Sequence, residues 1–426
     1  MLHVDKVDSV FPEKVHITAS GLEAFRCYKF QLVWHYENGK YYSYCVIKSN
    51  EHGNIDLARD KPIRGTYYET DKMGLFSSLH PTDEIKFGHY IRNYGQDPFY
   101  YTLKLLSDSE EVLDQLNLRK LWMHPALTRI EVAQNGMYGT IFKPPGPGPF
   151  PCIIDVPGGN GRLPTGQAAV FAASGFLVYT FAVFFHEDLP NSFQDVDVET
   201  FSKHIRFVQS LPYCSNKIGL FGVCQAGIMA NLLASRHSDI SAVAAVNPPE
   251  AFYREISLKV DGSPMKVDSL DLSLAKYINR VSYLRPTYQE TFDKFKPEAK
   301  IKWENIPKKT KFRIVVTLDD YIFPCISNLA NIRNNLLETG HSVEVQLVPS
   351  GHVFFVPNFP HIPFGYNKFL KIQMGFGGEC NLVAKSQEVA WENHIKFFKK
   401  HLGTPPELPD FEREKRIVLP GKGSKL

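Results

Sequence analysis

Residues 217 to 230, Lys-Ile-Gly-Leu-Phe-Gly-Val-Cys-Gln-Ala-Gly-Ile-Met-Ala, leave the backbone few choices. A short apolar run, Ile218 to Phe221, stops at Gly222; Cys224 follows, and the small pair Ala226 and Gly227 opens a helix-prone stretch. The spacing predicts a strand, a sharp turn and a helix. Such a turn forces its central residue into a strained conformation, and only small flanking residues let strand and helix pass closely. The strain lifts the Cys224 sulfur out of the sheet, and the backbone N–H of Gln225 at the helix start is placed to stabilise an oxyanion. The pattern is G-x-S-x-G with sulfur for the hydroxyl and Ala226 for the second glycine. A lone cysteine at a strand end is more often a buried structural residue, so the reading needs partners elsewhere in the chain.

A chain of 426 residues, 43% hydrophobic, is long enough for two domains and a large core. Lys and Arg number 48 against 45 Asp and Glu, and no basic run interleaves with aromatics, which argues against nucleic acid as a partner. The seven cysteines (Cys27, Cys45, Cys152, Cys214, Cys224, Cys325, Cys380) are scattered without C-x-x-C pairs or His/Cys ligand spacing, so a reduced compartment and no structural metal are expected. The first residues carry Asp5, Asp8 and Glu13 without an apolar core, and the longest apolar run, Gly175 to Phe185, is too short to span a bilayer. Neither a secretory leader nor a membrane span is expected.

Residues 1–125 are rich in aromatic and β-branched residues in short segments broken by turn signals: Val15 to Ala19, Tyr28 to Trp34, and Tyr41 to Ile47, with Asn38-Gly39 and Gly53-Asn54 between them. This spacing predicts an all-β, immunoglobulin-like sandwich. Its histidines, His16, His35 and His52, lie without partnering carboxylates and are read as packing or surface residues.

Across 126–403 strands alternate with helical segments, the signature of a mostly parallel sheet covered on both faces. Thr128 to Ala133 and Gly139 to Phe142 form a hairpin around Asn135-Gly136, and Cys152 to Val156 is a buried strand leading into Pro157-Gly-Gly-Asn-Gly161. Glycines at a strand's carboxyl end let backbone N–H groups point into a cleft, so Gly158 and Gly159 are candidates for the other half of an oxyanion hole; a plain glycine turn is the alternative. Further strands are expected at Gly175 to Val183, Ile218 to Phe221, Ala242 to Val246, Phe312 to Leu318 and Val343 to Val348. Helices are expected at Glu199 to Leu211, Ile326 to Thr339 and Ser386 to Leu402. Residues 250–310, polar and aromatic without a clean period, read as an insertion or lid.

Strand carboxyl ends in such sheets converge on one edge, and three of them carry Cys224, Asp320 and His352. Nucleophile, acid, histidine is the chain order of the α/β-hydrolase triad. His352 would draw the proton from the thiol and Asp320 would fix its tautomer. Asp319 remains an alternative acid, since spacing does not separate adjacent positions.

The chain resembles the type I acyl-CoA thioesterases and the bile acid-CoA:amino acid N-acyltransferases, one family with a β-sandwich followed by an α/β-hydrolase fold. The likeness runs from about Phe11 to Gly403. It is carried by Met73-Gly-Leu-Phe-Ser-Ser-Leu79, Pro147-Gly-Pro-Phe-Pro151, Glu187-Asp-Leu-Pro190, the elbow, Asp320, Gly351-His352, Gly377-Gly-Glu379 and Lys399-Lys-His-Leu-Gly403. The resemblance implies Cys224, Asp320 and His352 as the triad, an acyl-CoA substrate and no cofactor. Thioesterases of the family usually carry serine where its amino-acid acyltransferases carry cysteine, as here, and Gln225 and Ala226 stray from the commonest thioesterase elbow.

Residues 404–426, with Pro405, Pro406 and Pro409, read as an extended tail leaving Ser424, Lys425 and Leu426 exposed for a peroxisomal import receptor. The expected function is peroxisomal hydrolysis of fatty acyl-CoA through an acyl-cysteine. The alternatives are transfer to glycine or taurine, a dienelactone-hydrolase-like esterase, and an inactive acyl-CoA-binding protein.

Overall fold

The computed structural model describes residues 1–37, 39–89, 91, 97–159, 161, 163–292, 294–367 and 370–420. Ser424, Lys425 and Leu426 lie outside the described residues.

The N-terminal residues build two β-sheets. The larger has seven strands and is centred on Cys27–Tyr36, which pairs antiparallel with Gly39–Lys48 on one side and Phe99–Leu106 on the other; Val112–Leu121 follows. Period-two patterning sets its faces, since Tyr28, Phe30, Leu32 and Trp34 are buried and the residues between them less so. The smaller sheet joins Leu2–Val4, Ile17–Ala19 and Ile55–Asp56. His16, expected to lack a carboxylate, bonds Asp56 Oδ1 at 2.7 Å through Nε2.

The rest of the chain is organised by one eight-stranded sheet. Its strands are β1 (Thr128–Gln134), β2 (Met137–Lys143), β3 (Phe150–Asp155), β4 (Leu177–Ala182), β5 (Cys214–Val223), β6 (Ile240–Val246), β7 (Lys311–Thr317) and β8 (Val343–Val348), in the spatial order β1-β2-β4-β3-β5-β6-β7-β8. β2 runs antiparallel to its neighbours β1 and β4, and every other pair is parallel, the arrangement of an α/β-hydrolase sheet. The β1–β2 hairpin turns through Asn135 and Gly136, both at positive φ. Helices α1 (Gly166–Ala172), α2 (Val198–Gln209), α3 (Gln225–Arg236), α4 (Cys325–Glu338) and α5 (Cys380–Leu402) alternate with the strands. α1 was not expected, and α5 begins six residues before the expected Ser386, because the Glu379 carboxylate caps it by accepting from the N–H groups of Asn381 and Leu382. Among the described residues no helix is long and apolar enough to cross a membrane.

The segment between β6 and β7 is irregular, with short hairpins and one helix, Arg285–Phe292. Its strand Val281–Tyr283 joins Ile372–Gly375, and thereby Phe364–Asn367, in a four-stranded sheet, so the insertion is stitched to the chain that follows β8. The tail has no regular structure in its described part yet is held down: Arg413 bonds both carboxylate oxygens of Glu13 at 2.8 and 2.7 Å, and Asn117 Nδ2 donates to Ile417 O at 3.2 Å.

Lys120, on the N-terminal strand Val112–Leu121, fastens residues 9–13 to that strand. It is 1% exposed; its ammonium donates to Glu13 O at 2.7 Å and, at 3.3 to 3.4 Å, to Ser9 Oγ, Val10 O and Phe11 O. Burial, opposed by the Glu13 charge, pushes its pKa down to about 7, against about 10.4 in an unfolded chain. Between those values the unfolded chain holds the extra proton, so this group adds stability as pH rises. The unfolding free energy of the wild type relative to Lys120→Met, measured in urea, is therefore expected to grow from about pH 7 to about pH 10; a flat difference would contradict this assignment.

Candidate active site

The elbow lies where β5 meets α3. Cys224 adopts φ 58° and ψ −124°, a region that side chains occupy only when the surroundings enforce it. Two backbone bonds do so: Cys224 N–H donates to Val246 O at 2.8 Å, and Gly227 N–H donates to Cys224 O at 2.9 Å. A Cβ on Gly222 would come within 2.3 Å of Ala226 O, so glycine is mandatory on the strand side. On the helix side the tight position is Gly227, where a Cβ would stand 3.0 Å from Pro248 Cβ. Alanine fits at 226, where even a Cβ built on the facing Gly158 would stand 3.6 Å from its methyl.

Asp320 follows β7 and His352 follows β8. His352 Nδ1 lies 2.7 Å from Asp320 Oδ2, and both residues are buried. The carboxylate is fixed in turn: Oδ1 accepts from the N–H groups of Ile322 and Phe323 at 2.6 and 2.8 Å, and Oδ2 also accepts from Cys325 Sγ at 3.1 Å. Asp319 points elsewhere, its Oδ2 accepting Gly378 N–H at 2.8 Å, so Asp320 is the acid in contact with the histidine. His352 is itself clamped, since its N–H donates to Phe376 O at 2.7 Å and Gly351 packs so tightly on Gly377 that a Cβ would meet Gly377 O at 2.3 Å. Phe323 approaches the imidazole edge to face at 5.1 Å. Burial works against the charged ring. The charges of Asp320 and Cys224 and hydrogen bonds to both more than offset this, raising its pKa to about 10. His352 thus contacts the acid, and the Cys224 thiol lies within electrostatic reach of the ring.

Gly158 and Gly159 pack on the first turn of α3. A Cβ on Gly159 would lie 2.6 Å from Gln225 Oε1, and one on Gly158 would lie 3.6 Å from Ala226 N. The expected oxyanion residues Gly158, Gly159 and Gln225 therefore share one small volume beside Cys224. Gln225 is 2% exposed, and its side-chain Nε2 has no partner among the described residues. No cluster of described His, Cys, Asp or Glu is arranged to hold a metal.

The sequence reading did not single out Tyr253, Tyr288 or Cys325 for the site. The two phenols lie 3.1 Å apart, and the Tyr288 ring meets Phe323 edge to face at 4.6 Å. Burial holds both phenols far above the usual range, so they remain protonated donors. Burial and the Asp320 charge likewise push the Cys325 thiol up. No sequence signal marks the tyrosines, which lie in a stretch without periodicity; Cys325 stands only five residues after Asp320.

Two family models match the chain. Residues 196–404 match the one described as BAAT / Acyl-CoA thioester hydrolase C terminal, and residues 12–134 match Acyl-CoA thioester hydrolase/BAAT N-terminal region. The bile acid-CoA:amino acid N-acyltransferase of Mus musculus is 28% identical over 424 residues, covering 96% of this chain and 98% of that one. Acyl-coenzyme A thioesterase 1 and peroxisomal succinyl-coenzyme A thioesterase of Mus musculus are each 26% identical, over 408 and 407 residues, covering 93% of this chain and 95% of theirs.

The contacts separate the two aspartates. Asp320→Asn is expected to lower kcat by about 10³ to 10⁴, the scale set by loss of the group that orients a catalytic histidine, and Asp319→Asn by no more than about tenfold. Asp320 is the foremost group raising the His352 pKa. Its neutralisation should therefore also move the alkaline limb of the pH–activity profile, expected near pH 10 in the wild type, to lower pH. Equal losses in the two variants, measured by stopped-flow release of the thiol product, would contradict the assignment.

Proposed function

We propose that this chain, which belongs to the family of acyl-CoA thioester hydrolases and bile acid-CoA:amino acid N-acyltransferases, hydrolyses fatty acyl-CoA to fatty acid and CoA through a thioester on Cys224. The observation that carries this reading is the contact of His352 with Asp320 at 2.7 Å, made within electrostatic reach of the strained elbow thiol. His352 takes the Cys224 proton, and the thiolate attacks the substrate carbonyl carbon. The developing oxyanion faces the backbone N–H of Gln225 and the Gly158-Gly159 loop. As the tetrahedral intermediate collapses the C–S bond to CoA breaks, and the imidazolium protonates the departing sulfur. His352, neutral again, takes a proton from water; hydroxide adds to the acyl-cysteine, the second C–S bond breaks, and acid and thiol are regenerated. Asp320 stays ionised throughout, holding Nδ1–H so that Nε2 serves the sulfur and the water in turn.

A second reading is favoured by the nucleophile being sulfur. Thioesters yield to amines more readily than oxyesters do, so glycine or taurine could take the place of water in the second half. We read the paired N-terminal sheets as an immunoglobulin-like sandwich, and Ser424, Lys425 and Leu426 as a peroxisomal address, tested by whether a Leu426→Ala variant with a fluorescent N-terminal tag loses punctate import.

Cys224→Ala is expected to lose at least about 10³ of kcat while retaining acyl-CoA binding by calorimetry, which also separates an enzyme from an inactive binding protein. Products formed from acyl-CoA with and without glycine or taurine, weighed by mass spectrometry, should be mainly free acid. Amide exceeding free acid at millimolar amine would replace the hydrolase reading with the acyltransferase one.

A further inference from the structure

We propose that the N-terminal β-sheet region is the device that positions His352, and that it acts through Phe359; the proposal rests on the reading of Cys224 and His352 as a nucleophile pair. His352 stands at the start of a long excursion, residues 353–376, that leaves the sheet after β8 and returns to give the Phe376 carbonyl to the histidine's own N–H. A catalytic side chain on such a loop is only as well placed as the scaffold beneath it.

The scaffold here is the other half of the chain. Phe359 is 1% exposed and sits in an aromatic socket whose rings come from the N-terminal residues Phe11, Phe99 and Trp122, at centroid distances of 6.2, 6.2 and 6.1 Å. The socket is preformed: Phe11 stacks on Trp122 at 4.2 Å, Phe99 meets Trp122 edge to face at 5.4 Å, and Phe11 N–H is bonded to Leu121 O at 2.7 Å. A second seam lies further along the same excursion, where Tyr366 N–H donates to Gly88 O at 3.0 Å and Phe364 packs on Phe87 at 4.6 Å. On its other flank Met374 pairs with Ser282 of the insertion. Between these anchors, His361 Nε2 lies 3.0 Å from Gly377 O, the residue against which Gly351 closes beneath His352. The excursion thus transmits the position of the socket to the catalytic ring, and Phe359 is a positioning residue that touches no reacting atom.

The test uses the full chain without substrate, so that it reports the thiol and imidazole pair directly. Wild type, Phe359→Ala and the milder Phe359→Leu and Trp122→Phe are alkylated with iodoacetamide from about pH 5 to about pH 9, and modification of the Cys224 peptide is followed by mass spectrometry. Phe359→Ala is expected to alkylate at least about tenfold more slowly near pH 6, with its half-maximal pH raised by about one unit or more. Phe359→Leu should recover most of the difference, and Trp122→Phe should shift the profile less, in the same direction. With acyl-CoA, kcat should fall about ten- to a hundredfold in Phe359→Ala while KM changes less than about threefold, since a displacement of about 1 Å at a catalytic group costs on that order. Ile47→Ala, a buried N-terminal residue on another strand, controls for general loosening and should keep the wild-type alkylation profile. A Phe359→Ala profile that superimposes on the wild type, or an equal shift in Ile47→Ala, overturns the proposal. A wild-type Cys224 no more reactive than the other thiols overturns the nucleophile pair on which it rests.

Discussion

Everything in the site depends on one backbone conformation, the positive φ of Cys224 between β5 and α3. A side chain there costs about 1–3 kcal/mol that the surroundings must offset. They do so through a bond to β6, a bond within the first helical turn and the absence of a Cβ at Gly222. The same closeness brings the N-terminus of α3 against Gly158 and Gly159, so the turn that strains Cys224 also sets the glycine loop beside it.

The histidine is held on a different principle. Cys224 is rigid because its neighbours in sequence are small, whereas His352 depends on contacts made far away in the chain: Asp320 behind the ring, the Gly351–Gly377 contact beneath it, and the aromatic socket of the N-terminal sheet beyond. Two regions of the chain are thereby joined, one carrying Cys224 at its elbow and the other packing through its aromatic socket on the segment that follows His352. The insertion between β6 and β7 closes the arrangement, adding the Tyr253–Tyr288 pair within electrostatic reach of the sulfur.

Much of this was legible in the sequence because buried parallel strands are continuous apolar runs, and their carboxyl ends could be counted off to Cys224, Asp320 and His352. The choice between Asp319 and Asp320 was not legible from spacing, although the resemblance implies Asp320; the folded contacts tell them apart, Asp320 meeting His352 and Asp319 the N–H of Gly378. The tyrosines were hidden by the aperiodic insertion, where no pattern distinguishes a lining residue from a packing one. Helix α5 was read six residues short because a glutamate cap is not among the usual signals. The tail, read as extended from its prolines and charges, is pinned in its described part by Arg413 on Glu13, an ion pair across nearly the whole chain that local composition does not reveal. His16 likewise found Asp56 through strand pairing of distant residues.

Rapid quenching in acid of the enzyme mixed with excess acyl-CoA, followed by mass spectrometry of its peptides, tests most directly whether Cys224 carries the acyl group. One acyl mass is expected on the peptide containing Cys224, removable by neutral hydroxylamine, formed within a single turnover and missing from Cys224→Ala. Turnover with no acyl adduct on that peptide at any time, together with activity surviving in Cys224→Ala, would contradict that role of Cys224.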